Sequence, residues 1–264
     1  MVANQIWYEY VAGKQTYAQL AANYGCSIKT IQRKIDEVKT VAESSFSELA
    51  NVLMDTTYFG RKLGVMVFKN SLDGKILYKQ YVKQETNNLY LQGIKEISRR
   101  GIKIQSIICD GRKGLFQLFG ADIPVQMCNF HQVAIVRRYL TKNPKMQASK
   151  ELWEHTLLLV HTDKESFEGG LSAWHFKWES FLNERKVDER GKKRYVHKKL
   201  RSAYNSLKNN LPWLFTWYDN IALKIPNTTN AIDGHFADLK NKLRNHNGLS
   251  VDRKKKFIDE FLKA

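Results

Sequence analysis

The sequence predicts an α/β protein that contains one mixed β-sheet, a helical insertion and a small helical segment at the N-terminus. Three observations support this prediction. Short β-rich runs follow one another closely from residue 50, two more apolar runs come after a helical pattern, and strand signals fade beyond residue 131. A chain of 264 residues is long enough for one large domain and a small additional module.

The charge balance indicates a polyanionic partner. The chain has 43 Lys and Arg residues against 26 Asp and Glu residues, a formal net charge of +17. Such a charge attracts polyanions and repels basic partners. Nucleic acid is therefore the first candidate, and a basic protein without such a partner is the alternative.

The sequence predicts no membrane segment. No stretch approaches the roughly 20 apolar residues that cross a bilayer, and the first residues lack the basic-then-apolar order of a signal peptide. The three cysteines, Cys26, Cys109 and Cys128, lie far apart in the sequence, which predicts free thiols rather than a disulfide framework. We therefore expect a cytoplasmic protein in a reducing compartment.

Residues 16–37 are typical of a helix-turn-helix. Gly25 interrupts a short helix whose apolar face includes Leu20, and Ser27 can cap a second helix. Three polar residues on that second helix are candidates for contacting a DNA groove, namely Lys29, Gln32 and Arg33. An ordinary helical hairpin with a polar outer face is the alternative.

The segment from residue 50 predicts the sheet. The runs NVLMDTTYF, LGVMVFKN and KILYKQYVKQ are short and closely spaced, which predicts three antiparallel strands. After a helical pattern, IKIQSIICD is apolar on both faces, as in a buried parallel strand, and PVQMCNFH predicts another strand. The predicted order from residue 50 is therefore β-β-β-α-β-α-β.

Residues 132–225 predict a mainly helical insertion with a basic segment. Residues 185–201 hold nine Lys or Arg residues against two acids. A solvated charged helix is one interpretation of this segment. The other is a surface that follows phosphates, in which Tyr195 is interleaved with basic side chains that include Lys192, Lys193 and Arg194.

The sequence after residue 225 predicts two C-terminal helices. Thr229 or Asn230 can cap the first of them. Its buried stripe is predicted to comprise Ile232, Phe236, Leu239 and Leu243. The neighbouring stripe combines one acid with two basic residues, namely Asp233, Lys240 and Arg244.

Three aspartates are candidates for catalysis. Asp55 lies in the first apolar strand, where a carboxylate needs a partner or a metal. Asp110 follows a buried strand, the place where open α/β sheets bind ligands. Asp233 lies in the first turn of a helix. Each also has a simpler explanation. A strand-end hydrogen bond would explain Asp55, and an Asp-Gly turn would explain Asp110. The helix dipole, which favours an acid in the first turn, would explain Asp233.

Carboxylates from a central strand, a neighbouring strand end and a later helix can together hold two Mg²⁺ ions. Two such ions, about 3.5 to 4 Å apart, activate the attacking oxygen and stabilise the leaving oxygen of an in-line phosphoryl transfer. Magnesium prefers carboxylate and water oxygens as ligands.

Four ordered segments carry a family resemblance. They are DTTYFG at 55–60, IICDGRKGL at 107–115, QMCNFHQ at 126–132 and PNTTNAIDGHFADLKNKLRNHNGLS at 226–250. Together they resemble the Mutator-like bacterial insertion-sequence transposases, a branch of the DDE recombinase superfamily, over nearly the whole chain. The resemblance implies a ribonuclease-H-like fold with catalytic metal ligands at Asp55, Asp110 and Asp233.

The resemblance also implies a Cys-x-x-His pair, here Cys128 and His131. Such a pair is at most half of a tetrahedral zinc site, so we do not expect zinc here. We favour a local structural or substrate-positioning role, and His131 as a proton donor or phosphate contact is a further alternative.

Two features depart from the family pattern. The third acid of the family is usually glutamate, and Asp233 is one methylene shorter. Members of this variant branch can also carry a Cys-rich zinc ribbon before the helix-turn-helix, and this sequence has no such Cys pairs.

The sequence therefore predicts a DNA-binding helix-turn-helix at 1–45, a catalytic domain at 46–131 and 226–264, and a helical insertion at 132–225. The expected function is a bacterial DNA transposase that cleaves and joins strands at element ends with Mg²⁺ or Mn²⁺. The resemblance implies double-stranded terminal repeats and target DNA as partners, and a homodimer or larger assembly. A DNA-binding relic without useful catalysis and a metal-dependent nuclease are the alternatives.

Overall fold

A computed structural model describes residues 2–39, 48–61, 63–119, 122–246 and 248–263. The strands are β1 (Leu49–Tyr58), β2 (Gly64–Asn70), β3 (Ile76–Val82), β4 (Lys103–Cys109), β5 (Val125–Met127), β6 (Arg185–Val187) and β7 (Lys193–Tyr195). The α-helices are α1 (Ala3–Val11), α2 (Tyr17–Asn23), α3 (Ile28–Glu37), α4 (Asn87–Arg99), α5 (Asn129–Leu140), α6 (Gln147–Leu158), α7 (Lys164–Asn183), α8 (Lys198–Leu214), α9 (Thr216–Asp219), α10 (Asn230–Arg244) and α11 (Val251–Leu262).

The main sheet has the strand order β3-β2-β1-β4-β5. Strands β2 and β3 pair antiparallel. Strands β1 and β2 are also antiparallel, because only five residues connect them and a parallel connection needs a dozen or more.

The other half of the sheet is parallel. Strands β4 and β5 pair parallel. Strands β4 and β1 are also parallel. The backbone N–H of Lys103 donates to the carbonyl of Glu48, just before β1, and the hydroxyl of Ser106 donates to the side chain of Asn51. Both pairs are 55 residues apart in sequence, and such a constant separation is what parallel strands require. The predicted α/β class, with three antiparallel and two parallel strands, is therefore confirmed.

The two helices predicted at residues 16–37 are present as α2 and α3. The hydroxyl of Ser27 accepts the backbone N–H of Thr30 at 3.1 Å, so the predicted cap of α3 is confirmed. Gly25 occupies the turn with φ +60°, a conformation that favours glycine. Helix α1 precedes them and was not predicted.

Two sequence predictions were wrong in detail. The helix expected between β4 and β5 is a short 3-10 turn at Phe116–Phe119. The charged helix, one of two interpretations of the basic segment at 185–201, is absent from residues 185–195, which form an antiparallel hairpin of β6 and β7. The cause is its turn, since Asp188 accepts the N–H groups of Arg190 and Lys192 and Gly191 adopts a φ of +73°.

The described residues divide into two compact units. The first comprises residues 1–50, 54–103 and 230–264, and the second comprises 51–53 and 104–229. The predicted boundary at residues 45 and 46 lies outside the described residues, and the other predicted boundaries remain predictions.

The core of the first unit joins the N-terminal helices, β2 and the C-terminal helices. Its buried side chains include Ile6, Leu20, Val65, Phe236 and Phe257. The predicted stripe of α10 is confirmed, because all four of its apolar residues are buried in this core.

The second unit is mainly helical around β4 and β5. Gln132 of α5 donates a hydrogen bond to Ser206 of α8 and accepts one from Asn210. The indole N–H of Trp174 donates to the carbonyl of Ala148 at 3.0 Å, so this tryptophan is a core residue. In the part of the chain that the structure describes, no helix is both long and apolar enough to cross a membrane.

Two adjacent glycines of α7 provide a test of packing. A Cβ at Gly170 would overlap the ring of His155, which stacks on Phe167, whereas a Cβ at Gly169 meets nothing. We expect Gly169→Ala to stabilise the protein by up to about 1 kcal/mol through helix propensity. We expect Gly170→Ala to lose about 1–3 kcal/mol through overpacking. Urea unfolding followed by circular dichroism would check this, and equal effects of the two variants would contradict it.

Candidate active site

The first unit contains a polar cavity of about 690 Å³ that is lined by residues of β1 and α10. The lining residues are Asp55, Thr56, Thr57, Asp233, Phe236, Ala237, Asp238, Lys240, Asn241 and Arg244. Two of the three predicted acids, Asp55 and Asp233, therefore line the same cavity.

Asp55 lies in the carboxyl-terminal half of β1 and is half-buried. Its Oδ1 accepts the backbone N–H of Thr56 at 2.7 Å, so a local hydrogen bond of the kind expected at a strand end does exist. The hydroxyl of Thr56 is hydrogen-bonded to the buried hydroxyl of Tyr90 at 3.0 Å, and Tyr90 in turn donates to Glu85. These contacts hold the strand segment that carries Asp55.

Helix α10 presents a second stripe beside its buried one. Asp233, Ala237, Lys240 and Arg244 follow one another at helical spacing, and all four line the cavity. Asp233 is half-buried, and the two basic side chains are exposed. One helix face therefore combines a carboxylate with two cations.

Sequence reasoning missed other residues at this cavity. Asp238 also lines it and pairs with Lys242 of the next helical turn at 3.0 Å. Asn241 lies four residues after Ala237 on the same face, a spacing that the sequence could have indicated. Lys69 of β2 does not line the cavity, but it donates to the carbonyl of Ala231 in the first turn of α10, and burial lowers the pKa of its amine.

Asp110 belongs to the second unit and follows the end of β4. It is half-buried, and its Oδ1 accepts the backbone N–H of Arg112 at 3.2 Å. This bond is the kind that a turn-forming aspartate makes, so the turn explanation for Asp110 has direct structural support.

Cys128 is fully buried immediately before α5. Its Sγ accepts hydrogen bonds from the backbone N–H and the hydroxyl of Thr229, at 3.3 and 3.2 Å. Burial raises the pKa of this thiol, but hydrogen bonds with His131 and Thr229 outweigh burial, so the pKa lies below its ordinary value. The contacts of Cys128 thus join its loop to a segment 101 residues later in the sequence.

The basic candidates lie at solvent-accessible positions. Lys29 and Arg33 are exposed on α3, and Gln32 between them is half-buried. Lys192, Lys193 and Arg194 are exposed on the β6–β7 hairpin. Arg194 is ion-paired with Asp188, so it also stabilises the turn of the hairpin.

Among the described residues, no three His, Cys, Asp or Glu side chains are grouped closely enough to hold a metal ion. The first unit does offer an oxygen-rich cavity with the carboxylates of Asp55, Asp233 and Asp238 in its lining. Oxygen ligands of this kind suit Mg²⁺ better than zinc.

Comparisons with known proteins do not place the chain in a family. No family model matches it, and no curated protein matches it. One similar solved structure is the Drosophila P element transposase strand transfer complex, at 10% identity and a TM-score of 0.45, covering 100% of this chain and 91% of that chain. Another is a simian T-cell lymphotropic virus intasome in complex with PP2A regulatory subunit B56 gamma, at 12% identity and a TM-score of 0.25, covering 60% of this chain and 69% of that chain.

Proposed function

We propose that this chain is a DNA transposase of the Mutator-like bacterial insertion-sequence type, which cleaves phosphodiester bonds at element ends and joins them to target DNA. The observation that supports this most directly is the cavity of the first unit. There, the carboxylates of Asp55 and Asp233 lie with the cations Lys240 and Arg244. Acids that suit a metal beside cations that suit phosphate are what phosphoryl transfer requires.

The proposed metal ligands are Asp55, Asp110 and Asp233, and the metal is Mg²⁺ or Mn²⁺. The oxygen-rich lining of the cavity fits such a hard cation. Two bound ions would activate the attacking oxygen and stabilise the leaving oxygen. Asp110 enters the proposal through the sequence resemblance and through its place after the parallel strand β4.

The basic residues of α10 have a separate role in this proposal. Two carboxylates in one cavity repel a phosphodiester, and nearby cations reduce that repulsion. The guanidinium of Arg244 can bind a phosphate with two parallel hydrogen bonds, whereas Lys240 offers a compact charge. Together they would hold the DNA backbone against the carboxylates and orient the scissile phosphate.

DNA contacts beyond the cavity are proposed on two elements. Ile31 and Ile35 anchor α3 in the core, which leaves Lys29 and Arg33 facing solvent. The β6–β7 hairpin is a two-stranded ribbon with basic side chains, and the major groove of DNA admits both an α-helix and such a ribbon. The proposed partners are terminal repeats and target DNA, bound by a homodimer or larger assembly.

One observation keeps a second function open, namely a relic that binds DNA without useful catalysis. Asp233 is one methylene shorter than the glutamate usual in the resembling family, so its carboxylate reaches less far into the cavity. A labelled terminal-DNA assay with Mg²⁺ or Mn²⁺ separates the candidates. Cleavage with joining supports the transposase, cleavage alone supports a nuclease, and binding alone supports the relic.

Substitution of the three acids tests the proposed metal ligands. We expect Asp55→Asn, Asp110→Asn and Asp233→Asn each to lower the DNA cleavage rate roughly hundredfold or more, equivalent to about 2.7 kcal/mol of activation free energy. The measurement is single-turnover cleavage of labelled terminal DNA with Mn²⁺.

Two controls from the same helix sharpen this test. Asp238→Asn alters a carboxylate that lines the cavity but pairs with Lys242, and we expect it to keep most activity. Asp233→Glu restores the longer acid and should retain or raise the rate. Full activity in Asp55→Asn would show that the metal-ligand assignment is wrong.

The hairpin is tested by salt-dependent DNA binding. We expect the double variant Lys192→Ala/Lys193→Ala to bind duplex DNA more weakly, with a salt slope smaller by roughly 0.9 for each lost phosphate contact. The matched control is Lys164→Ala/Lys177→Ala, which removes two lysines that already pair with Asp219 and Glu151. Fluorescence anisotropy at several salt concentrations would measure both, and equal slopes for the two double variants would exclude the hairpin as a DNA contact.

A further inference from the structure

The Cys-x-x-His pair and the Asn-Thr-Thr segment at 227–229 contact each other within the second unit. Both the backbone N–H and the hydroxyl of Thr229 donate to Sγ of Cys128, at 3.3 and 3.2 Å. Next to this contact, the backbone N–H of Asn129 donates to the carbonyl of Asn227 at 2.9 Å. Two segments about a hundred residues apart in sequence are thereby joined by three hydrogen bonds.

The joined residues lie in a dry environment. Cys128, Asn129 and Thr229 have no exposed surface at all. Hydrogen bonds in such an environment are electrostatically stronger than in water, and a buried donor that loses its partner costs about 1–3 kcal/mol. The contact therefore fixes both the main chain and the side chain of Thr229.

His131 strengthens the acceptor in this contact. A neutral thiol is a weak acceptor, and negative charge on sulfur makes it a stronger one. A hydrogen bond with His131, in the first turn of α5, lowers the pKa of the Cys128 thiol and so favours negative charge on the sulfur. The Cys-x-x-His spacing fits this geometry, since Cys128 is the N-cap residue of α5 and the side chains of the N-cap and of the third helical residue lie next to each other.

The contact ends where α10 begins. Thr229 is followed directly by Asn230, the first residue of α10, and Asp233 lies in the first turn. Asp233 lies only four residues after Thr229, so a displacement of Thr229 would shift the first turn of α10 and the Asp233 carboxylate with it.

We propose that Cys128, His131 and the segment 227–229 form a clasp that fixes the start of α10 and thereby positions Asp233. Cys128 and Thr229 are positioning residues, and neither touches the DNA or the metal. The clasp assigns a role to the Cys-x-x-His motif that needs no zinc. Its catalytic consequence rests on the proposed function, whereas its structural consequence does not.

The clasp is tested first without activity, in a full-length Cys26→Ser background. Thr229→Val keeps the β-branched shape but removes the hydroxyl donor, and Thr229→Ser keeps the donor. A buried thiol reacts with iodoacetamide only when its surroundings open, so we expect Thr229→Val to speed alkylation of Cys128 about tenfold despite the higher thiol pKa, and hydrogen exchange at amides 233–236 to quicken. Thr229→Ser should match the parent protein in both measurements.

The second readout is single-turnover DNA cleavage as a function of Mn²⁺. Loss of a group that orients a metal ligand typically costs about ten- to a hundredfold in activity or metal affinity. We expect Thr229→Val to lower the cleavage rate by that factor and to require more Mn²⁺, with unchanged DNA affinity. Rescue by Thr229→Ser would distinguish positioning from general destabilisation.

The outcomes separate the clasp from the proposed function. If Thr229→Val changed neither the alkylation of Cys128 nor the hydrogen exchange, the clasp would be overturned. If hydrogen exchange became faster but the cleavage rate and the Mn²⁺ requirement stayed the same, the positioning role of the clasp would be overturned. If the parent protein did not cleave DNA, the proposed function would fail, and the exchange data would still decide whether the clasp fixes the helix start. Should Thr229→Val not fold, Cys128→Ser, which has no thiol at this position to alkylate, is expected to give a smaller change in the same direction in hydrogen exchange and in cleavage.

Discussion

The packing of one helix stripe is the constraint on which the candidate active site depends. Ile232, Phe236, Leu239 and Leu243 are buried in the core of the first unit. Burying four such side chains contributes roughly 1.5–3 kcal/mol each, whereas an acid in the first turn of a helix gains only about 0.3–1 kcal/mol from the helix dipole. The apolar stripe therefore decides which way α10 faces. Asp233 lines the cavity because the burial of this stripe fixes the orientation of α10. The favourable interaction of an acid with the helix dipole does not depend on which face carries the acid, so it does not explain this orientation.

The same constraint explains why the cavity could be anticipated in part from the sequence. An apolar stripe with a period of 3.6 residues fixes the neighbouring stripe as well, so spacing placed Asp233, Lys240 and Arg244 on one face. The choice of Asp233 as a metal ligand rested chiefly on the family resemblance. Asp55 was found because a carboxylate is conspicuous in an apolar strand. The sheet followed from short β-rich runs and their spacing, both of which are local signals.

Features that depend on long-range contacts or on turn chemistry were not predicted. The contact of Cys128 with Thr229 joins residues 101 positions apart, and no periodicity encodes it. Helix α1 was missed because its N-terminal neighbour, Val2, makes no side-chain cap that would mark the start. Of the two interpretations of residues 185–201, the charged helix does not hold for 185–195, because the turn formed by Asp188 and Gly191 makes this part a hairpin. The turn determines the local fold, and the basic charge is compatible with either structure.

In the proposed metal site, the short side chain of Asp233 makes the position of the first turn of α10 more important. A glutamate has an additional rotatable bond, with which it can compensate for a small displacement of its helix. Asp233 lacks that bond, so the position of its carboxylate depends more closely on the backbone that carries it. The buried stripe fixes the rotation of α10 about its axis, and the hydrogen bonds from Thr229 to Cys128 hold the residue that precedes it. In the proposed transposase, a short acid and a firmly held helix start would complement each other, so an aspartate at position 233 would be compatible with metal binding.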